Sequence, residues 1–267
     1  MSNLRAPTGQ NAFIAIDGVL RELEAVVAEA RASRDRLGYF AALYCRTTAT
    51  VGRGVQAGVF DDAERMERFV ERFAARYLGP LRAWQAGRTE GVPRSWRAAC
   101  AAASQGDKVI LQHLLLGVNA HINLDLGVVA AEIAPGQAIH GLKHDFGRIN
   151  DILASLLQPV RGCIGRFSPL LDVIDRVGGG EDDEVLNFSI RVGRHDAWSQ
   201  AVTLAQADPA RCAELIDSLD RRVAVLAKVV ANPGGLLQRA VDVVAATESD
   251  NVVKIIDAIG RVPMPAA

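Results

Sequence analysis

The run from Val109 to Ala134 constrains this chain more than any other segment. It is the longest weakly charged stretch, and its apolar residues recur with helical period. It also carries Gln112, His113, Asn119, His121, Asn123, Asp125 and Glu132. A lipid-facing helix does not tolerate that many polar groups, because hydrocarbon offers them no partners. A long helix buried inside protein is therefore expected, with the remaining chain packed around it. Each polar group on it then needs a hydrogen-bond partner, since burial without one is costly.

The rest of the chain reads as further helices. "NAFIAIDGVLRELEAVVAEARAS" places Ile14, Val19, Leu20, Leu23, Val26 and Val27 on one stripe. "FDDAERMERFVERFAARYLGPLRAW" opens with acidic residues that suit a helix amino terminus. In it, "MERFVERFAARY" is mainly a solvated face, with Arg76 and Tyr77 as candidates to turn inward. The buried helix stops near "APGQ", where Pro135 cannot continue it. "AIHGLKHDFGRINDILASLLQPV" reads as one more helix, and four helical segments follow to the carboxy terminus. No alternating pattern argues for a sheet, and "GGGEDDE" (178–184) reads as a surface connection. The expected architecture is all-α, a single-domain multi-helix bundle over residues 9–262, with flexible termini at 1–8 and 263–267.

Ala, Leu, Val and Arg dominate and only 5% of residues are aromatic, which favours helix over sheet. With 49% hydrophobic residues and 23% charged, 267 residues can bury a large core. A formal charge of -1 and no polybasic run leave no footprint for nucleic acid or an anionic membrane. The four cysteines (Cys45, Cys100, Cys163, Cys212) form no CxxC pair, which suits reduced thiols in a cytoplasm. "MSNLRAPTGQ" lacks an apolar signal core, so a cytoplasmic location is the expectation. No GxSxG, P-loop or dinucleotide-binding glycine motif is present, which removes several common enzyme classes.

Chemistry-bearing residues concentrate around the buried helix. Four of the five histidines fall between positions 113 and 144. His121 and Asp125 are i and i+4, one above the other on a helix, and Glu132 returns to roughly that face. On the following segment His140 and His144 repeat the spacing, with Asp151 on the same side. Helices joined by a short Pro-Gly turn are antiparallel neighbours, so these faces are expected to meet. His121, Asp125, His140 and His144 then form a candidate ligand set for zinc, manganese or iron, with Asp145 orienting a ligand or acting as base. Asn119 and Asn123 point to the opposite side and are read as bonds to neighbouring backbone. Asn119 and Asn150 are kept as candidate substrate contacts. Arg46, in the otherwise apolar "ALYCRTTATV", is expected to pair with Asp125 or Asp145 or to hold an anionic substrate group.

Two resemblances bear on these residues. "LGVNAHINLD" is similar to the HxxxD helix of the zinc-dependent phospholipase C and single-strand nuclease fold, over roughly thirty residues of matching spacing. That fold is all-helical and binds three zinc ions, and "HGLKH" would stand in its second ligand helix. Over most of the chain, "HLLLGVNAHINLDLG", "HDFGRINDILASL", "RMERFVERFAARYL" and "SWRAA" resemble a family of bacterial and fungal proteins of unknown function. Its GxNAHIxxDL and DFxxxN helices fall here on Gly117, Asn119, His121 and Asp125, and on Asp145 and Asn150. That family implies no activity.

Three functions stay open at this point. One is a metal-dependent hydrolase, with phosphoesters as a candidate substrate class and a metal-bound water as nucleophile. The second is a metal-free enzyme or small-molecule binder using His121 and Asp125 as an acid/base pair in an apolar cavity. The third is a helical interaction module with a structural polar core. A small-molecule partner is expected under the first two. Oligomeric state is not readable from the chain.

Overall fold

The central helix runs from Ile110 to Ile133, and 89% of its most apolar stretch is buried within the protein. It is long and apolar enough by composition to cross a membrane, but here it is the axis of a core. The computed structural model describes residues 13–178 and 196–263. In chain order the elements are α1 (Phe13–Ser33), α2 (Leu37–Gln56), α3 (Ala63–Gln85), α4 (Arg94–Ser104) and α5 (Ile110–Ala120). A turn of π-helix (His121–Leu126), α6 (Gly127–Ile133), a 3₁₀ segment (Gly136–Leu142), α7 (Lys143–Ser155), α8 (Leu157–Gly165) and α9 (Leu171–Gly178) follow. The described part of α10 covers 196–205, before α11 (Pro209–Ala231), α12 (Gly235–Ala245) and α13 (Val252–Ile259). The fold is all-α and single-domain, without a strand among the described residues.

Local chemistry sets the helix ends. The Asp62 side chain caps α3 by accepting from the Arg65 N–H at 2.9 Å, and Asp208 does the same for α11 from Arg211. The central helix begins under two caps, one from distant chain and one local. Glu248 accepts from the Ile110 N–H at 2.7 Å, and the Gln112 side chain accepts from the Val109 N–H at 3.1 Å. The Gln112 amide also donates to the Val230 and Ala231 carbonyls, so one side chain joins the start of the central helix to the end of α11.

Around this axis pack α2, α3, α4 and α11, while α1 lies across α2 and α3, and α13 against α1, α2 and α8. The two ends of the central helix sit in different apolar clusters. Leu111, Leu114 and Leu115 meet Val241, Val244, Ile255 and Ile256, whereas Ile122, Leu126 and Val129 join Phe69, Tyr77 and Leu81. Close approach is made possible by glycine. A Cβ on Gly117 would lie 2.4 Å from ring carbons of Phe40, and one on Gly127 would lie 2.8 Å from the Ala197 carbonyl oxygen.

The segment expected as one helix through "AIHGLKH" is divided. Gly136 takes a positive φ of 62° after Pro135, the chain then makes a 3₁₀ turn, and α7 starts only at Lys143. His140 therefore precedes the helix that carries His144, and the two do not share a helical face. The termini at 1–8 and 264–267 and the "GGGEDDE" connection beyond Gly178 lie outside the described residues.

Candidate functional site

The π turn in the central helix carries the His–Asp pair, both side chains being almost fully buried. Such turns, with i→i+5 bonds, are often found at functional sites. His121 Nδ1 lies 3.2 Å from Asp125 Oδ2. The same oxygen accepts from the Trp96 indole N–H at 2.8 Å, and Oδ1 accepts from Arg76 Nε at 2.9 Å. A carboxylate removed from water is thus held by a guanidinium and an indole, as a buried charge requires. Arg76 reaches inward from α3 and lies 3.8 Å from Glu132, whose carboxylate also accepts from Arg72. Trp96 is presented by α4, whose amino terminus is fixed from α11. There Asp220 accepts from the Arg94 and Ser95 N–H groups and from the Ser95 hydroxyl.

Aromatic rings enclose the imidazole. Phe73 stacks flat on it with centroids 3.6 Å apart and planes at 12°, and Tyr44 stands edge-on at 4.5 Å. Phe40, Trp96 and Tyr77 lie between 5.8 and 6.2 Å away. Burial pushes the His121 pKa below its ordinary value; the Asp125 contact opposes this and Arg76 adds to it. The ring is therefore neutral near pH 7. In that state Nδ1 carries the proton donated to Asp125, and Nε2 presents its lone pair. Nε2 is buried with no hydrogen-bond partner among the described residues.

His121 and Tyr44 line a cavity of about 70 Å³ between α2, the central helix, α7 and α8. Its remaining wall is nearly all apolar, from Leu43, Leu114, Val118, Leu156 and Val160 among others. Burial holds the Tyr44 phenol protonated, well above its ordinary pKa. The Cys45 thiol is pushed up to about 11, chiefly by burial, which removes it as a thiolate nucleophile.

The other expected site residues lie elsewhere. Asp145, fully buried at the start of α7, accepts from the Asp61 N–H and from Arg65, each at 2.7 Å. His144 is exposed and its Nδ1 lies 2.7 Å from Asp61. Arg65 and Arg76 are eleven residues apart on α3, which separates their Cα atoms by about 16 Å along the helix. The expected set thus divides into two clusters, His121–Asp125 on Arg76 and His144–Asp145 near Arg65, and His140 is exposed in the 3₁₀ segment. Arg46 pairs with neither aspartate; it donates to the Val262 carbonyl at 2.9 Å. Asn119 donates to the Val223 carbonyl and accepts from Asn123, tying the central helix to α11. Asn150 is half-buried on α7.

A metal finds poor footing in either cluster. Both Asp125 oxygens are committed, and the adjacent guanidinium repels a cation, leaving His121 Nε2 as a single open donor. Ligand atoms of Asp61, His144 and Asp145 do lie within 4.8 Å of one another. However, Asp145 is bonded to Arg65, and Arg148 lies 3.4 Å from His144 Nε2, so this group reads as an ion-pair network between the start of α3 and α7.

Residue reading alone did not select Trp96, Phe73 or Tyr44 for the site. The signal was present in α3, where Phe69, Phe73, Arg76 and Tyr77 follow i, i+4, i+7, i+8 and so share a face. No curated protein matches the chain, and no solved structure does. A model of a family of unknown function, DUF5995, matches residues 16–233, taking in α2 to α10, the His121–Asp125 pair and all its polar partners, and the chain belongs to that family.

Proposed function

We propose that this protein binds a small apolar molecule bearing an O–H or similarly acidic group, and that His121 receives that group. The observation that carries the reading is that His121, whose buried Nε2 has no hydrogen-bond partner among the described residues, lines an apolar cavity. Its other nitrogen is held by Asp125, which Arg76 and Trp96 hold in turn. A carboxylate behind an imidazole fixes the tautomer and stabilises the imidazolium that forms when Nε2 accepts a proton. The same arrangement therefore supports binding, through an accepted hydrogen bond, and general-base proton abstraction from the bound molecule. The metal-dependent hydrolase is the weaker reading, because the donor atoms that would hold the ion are divided between two clusters and flanked by arginines.

The test is a matched pair of probes, p-cresol and p-xylene, similar in shape but differing in the hydroxyl. Calorimetric titration is expected to show p-cresol binding at least tenfold more tightly, an advantage lost in His121→Phe. Equal affinity for the two in the native protein, or an advantage that survives His121→Phe, overturns the reading.

A further inference from the structure

A second cavity, of about 30 Å³, adjoins the first. Both are lined by Tyr44, Thr47, Phe73 and Leu153, so these four side chains form the partition between them. The helices show how the two spaces are arranged. Along α2 the lining runs from Phe40 in the first cavity to Val51 in the second. On α3 it runs back from Phe73, shared by both, to Phe69 in the second. Along α8 and α7 it likewise runs backwards, from Ile164 in the first to Ile149 in the second. Three walls therefore agree that the cavities lie end to end along one axis. Phe40 to Val51 spans about 16 Å of helix, which bounds the length of the two spaces together.

Chemistry along this axis is uneven. The second cavity is lined by Val51, Phe69, Val70 and Ile149, with Tyr44, Thr47 and Thr48 as its hydroxyl-bearing residues. Both threonines are buried, and Thr47 already donates to the Leu43 carbonyl. Two buried groups unpartnered among the described residues belong to lining residues, the Tyr44 hydroxyl of the residue shared by both cavities and Nε2 of His121, which lines the first cavity alone. Phe73 is half-buried, carries no polar atom, and is free of any hydrogen bond that would hold its rotamer.

Building on the binding site proposed at His121 above, we propose that the two cavities are one channel for a linear aliphatic molecule. Its hydroxyl end lies at His121, and its tail passes Phe73 into the space lined by Val51 and Ile149. A compact ring fills only the first cavity; a chain uses both.

Primary alkanols from butanol to tetradecanol test this in the full-length protein. Because transfer of each methylene from water is worth a constant increment, affinity is expected to climb about fourfold per carbon while the tail stays inside. It then levels off where the channel ends. Val51→Phe and Ile149→Phe, which fill the second cavity from opposite walls, are each expected to end the climb several carbons earlier. Two such variants guard against one failing to fold, and the native series decides by itself whether the climb extends past the first cavity. A climb that stops at the shortest alcohols, or one that ends at the same length in native protein and folded variants, overturns the channel. Short alcohols binding with a His121-dependent preference would then leave the site itself standing, whereas no binding by butanol, hexanol or p-cresol overturns both.

Discussion

At the scale of single residues, the site is decided by what surrounds one carboxylate. Asp125 accepts from Arg76, Trp96 and, on the same oxygen as Trp96, the His121 ring, while being fully buried itself. Removing its charge leaves Arg76, among the described residues, with the more distant Glu132 at 3.8 Å. Breaking a buried ion pair from one side costs about 3–5 kcal/mol, and the partial exposure of Arg76 puts Asp125→Asn near the low end of that range. Arg76→Met alone is expected to cost a similar amount. The double variant should recover part of it, because neither charge is left behind. Urea unfolding of the four proteins measures this, and strictly additive losses would refute the coupling. Nitrogen chemical shifts of His121 carry the functional side of the same argument. Nε2 is expected to resonate as the unprotonated nitrogen at neutral pH in the native protein, and to lose that single-tautomer signature in Asp125→Asn.

At the scale of elements, the contrast is between contacts within a helix and contacts between helices. His121 and Asp125 are legible in the chain because an i, i+4 relation is local and needs no knowledge of the fold. Asp125's cationic partner was not, since Arg46 and Arg76 both reach inward from long helices and only packing selects between them. The arrangement of α3 brings Arg76 to the central helix, whereas Arg46 is drawn to the Val262 carbonyl after α13. His140 and His144 were misplaced for a local reason, the glycine turn at Gly136 and the 3₁₀ segment that delays α7. Gly117 shows the reverse case, a motif residue whose purpose appears only in packing. Its missing Cβ admits the Phe40 ring, one of those around His121. Gly117→Ala places a carbon 2.4 Å from that ring, and overpacking of this kind costs roughly 1–3 kcal/mol. Truncating the ring in Gly117→Ala/Phe40→Leu is expected to cost less than the two single losses summed. Thermal unfolding of the three variants checks it, and simple additivity would show that Phe40 is not what Gly117 accommodates.

At the scale of the whole molecule, the buried histidines make the fold sensitive to mild acid. His113 lies on the central helix against Tyr39, and burial lowers its pKa from 6.5 to about 4, with Arg36 adding to the effect. The unfolded chain therefore takes up a proton near pH 6.5 that the folded chain accepts only near pH 4. Between those values the unfolded state holds more protons, so stability rises with pH. The full contribution is present above pH 6.5 and is lost as pH falls towards 4, a difference of about 3 kcal/mol from this residue by the linkage of pKa to free energy. His121 is shifted in the same direction by burial and steepens the loss. Exposed carboxylates with lowered pKa values, such as Asp61 and Asp217, act at lower pH and do not mimic it. His113→Phe keeps a ring for the edge contact with Tyr39 and removes the titrating group. Urea unfolding at pH 7 and pH 4.5 is expected to give a large fall in stability for the native protein and a distinctly smaller fall for His113→Phe. An equal fall in both would place the acid sensitivity elsewhere than at His113.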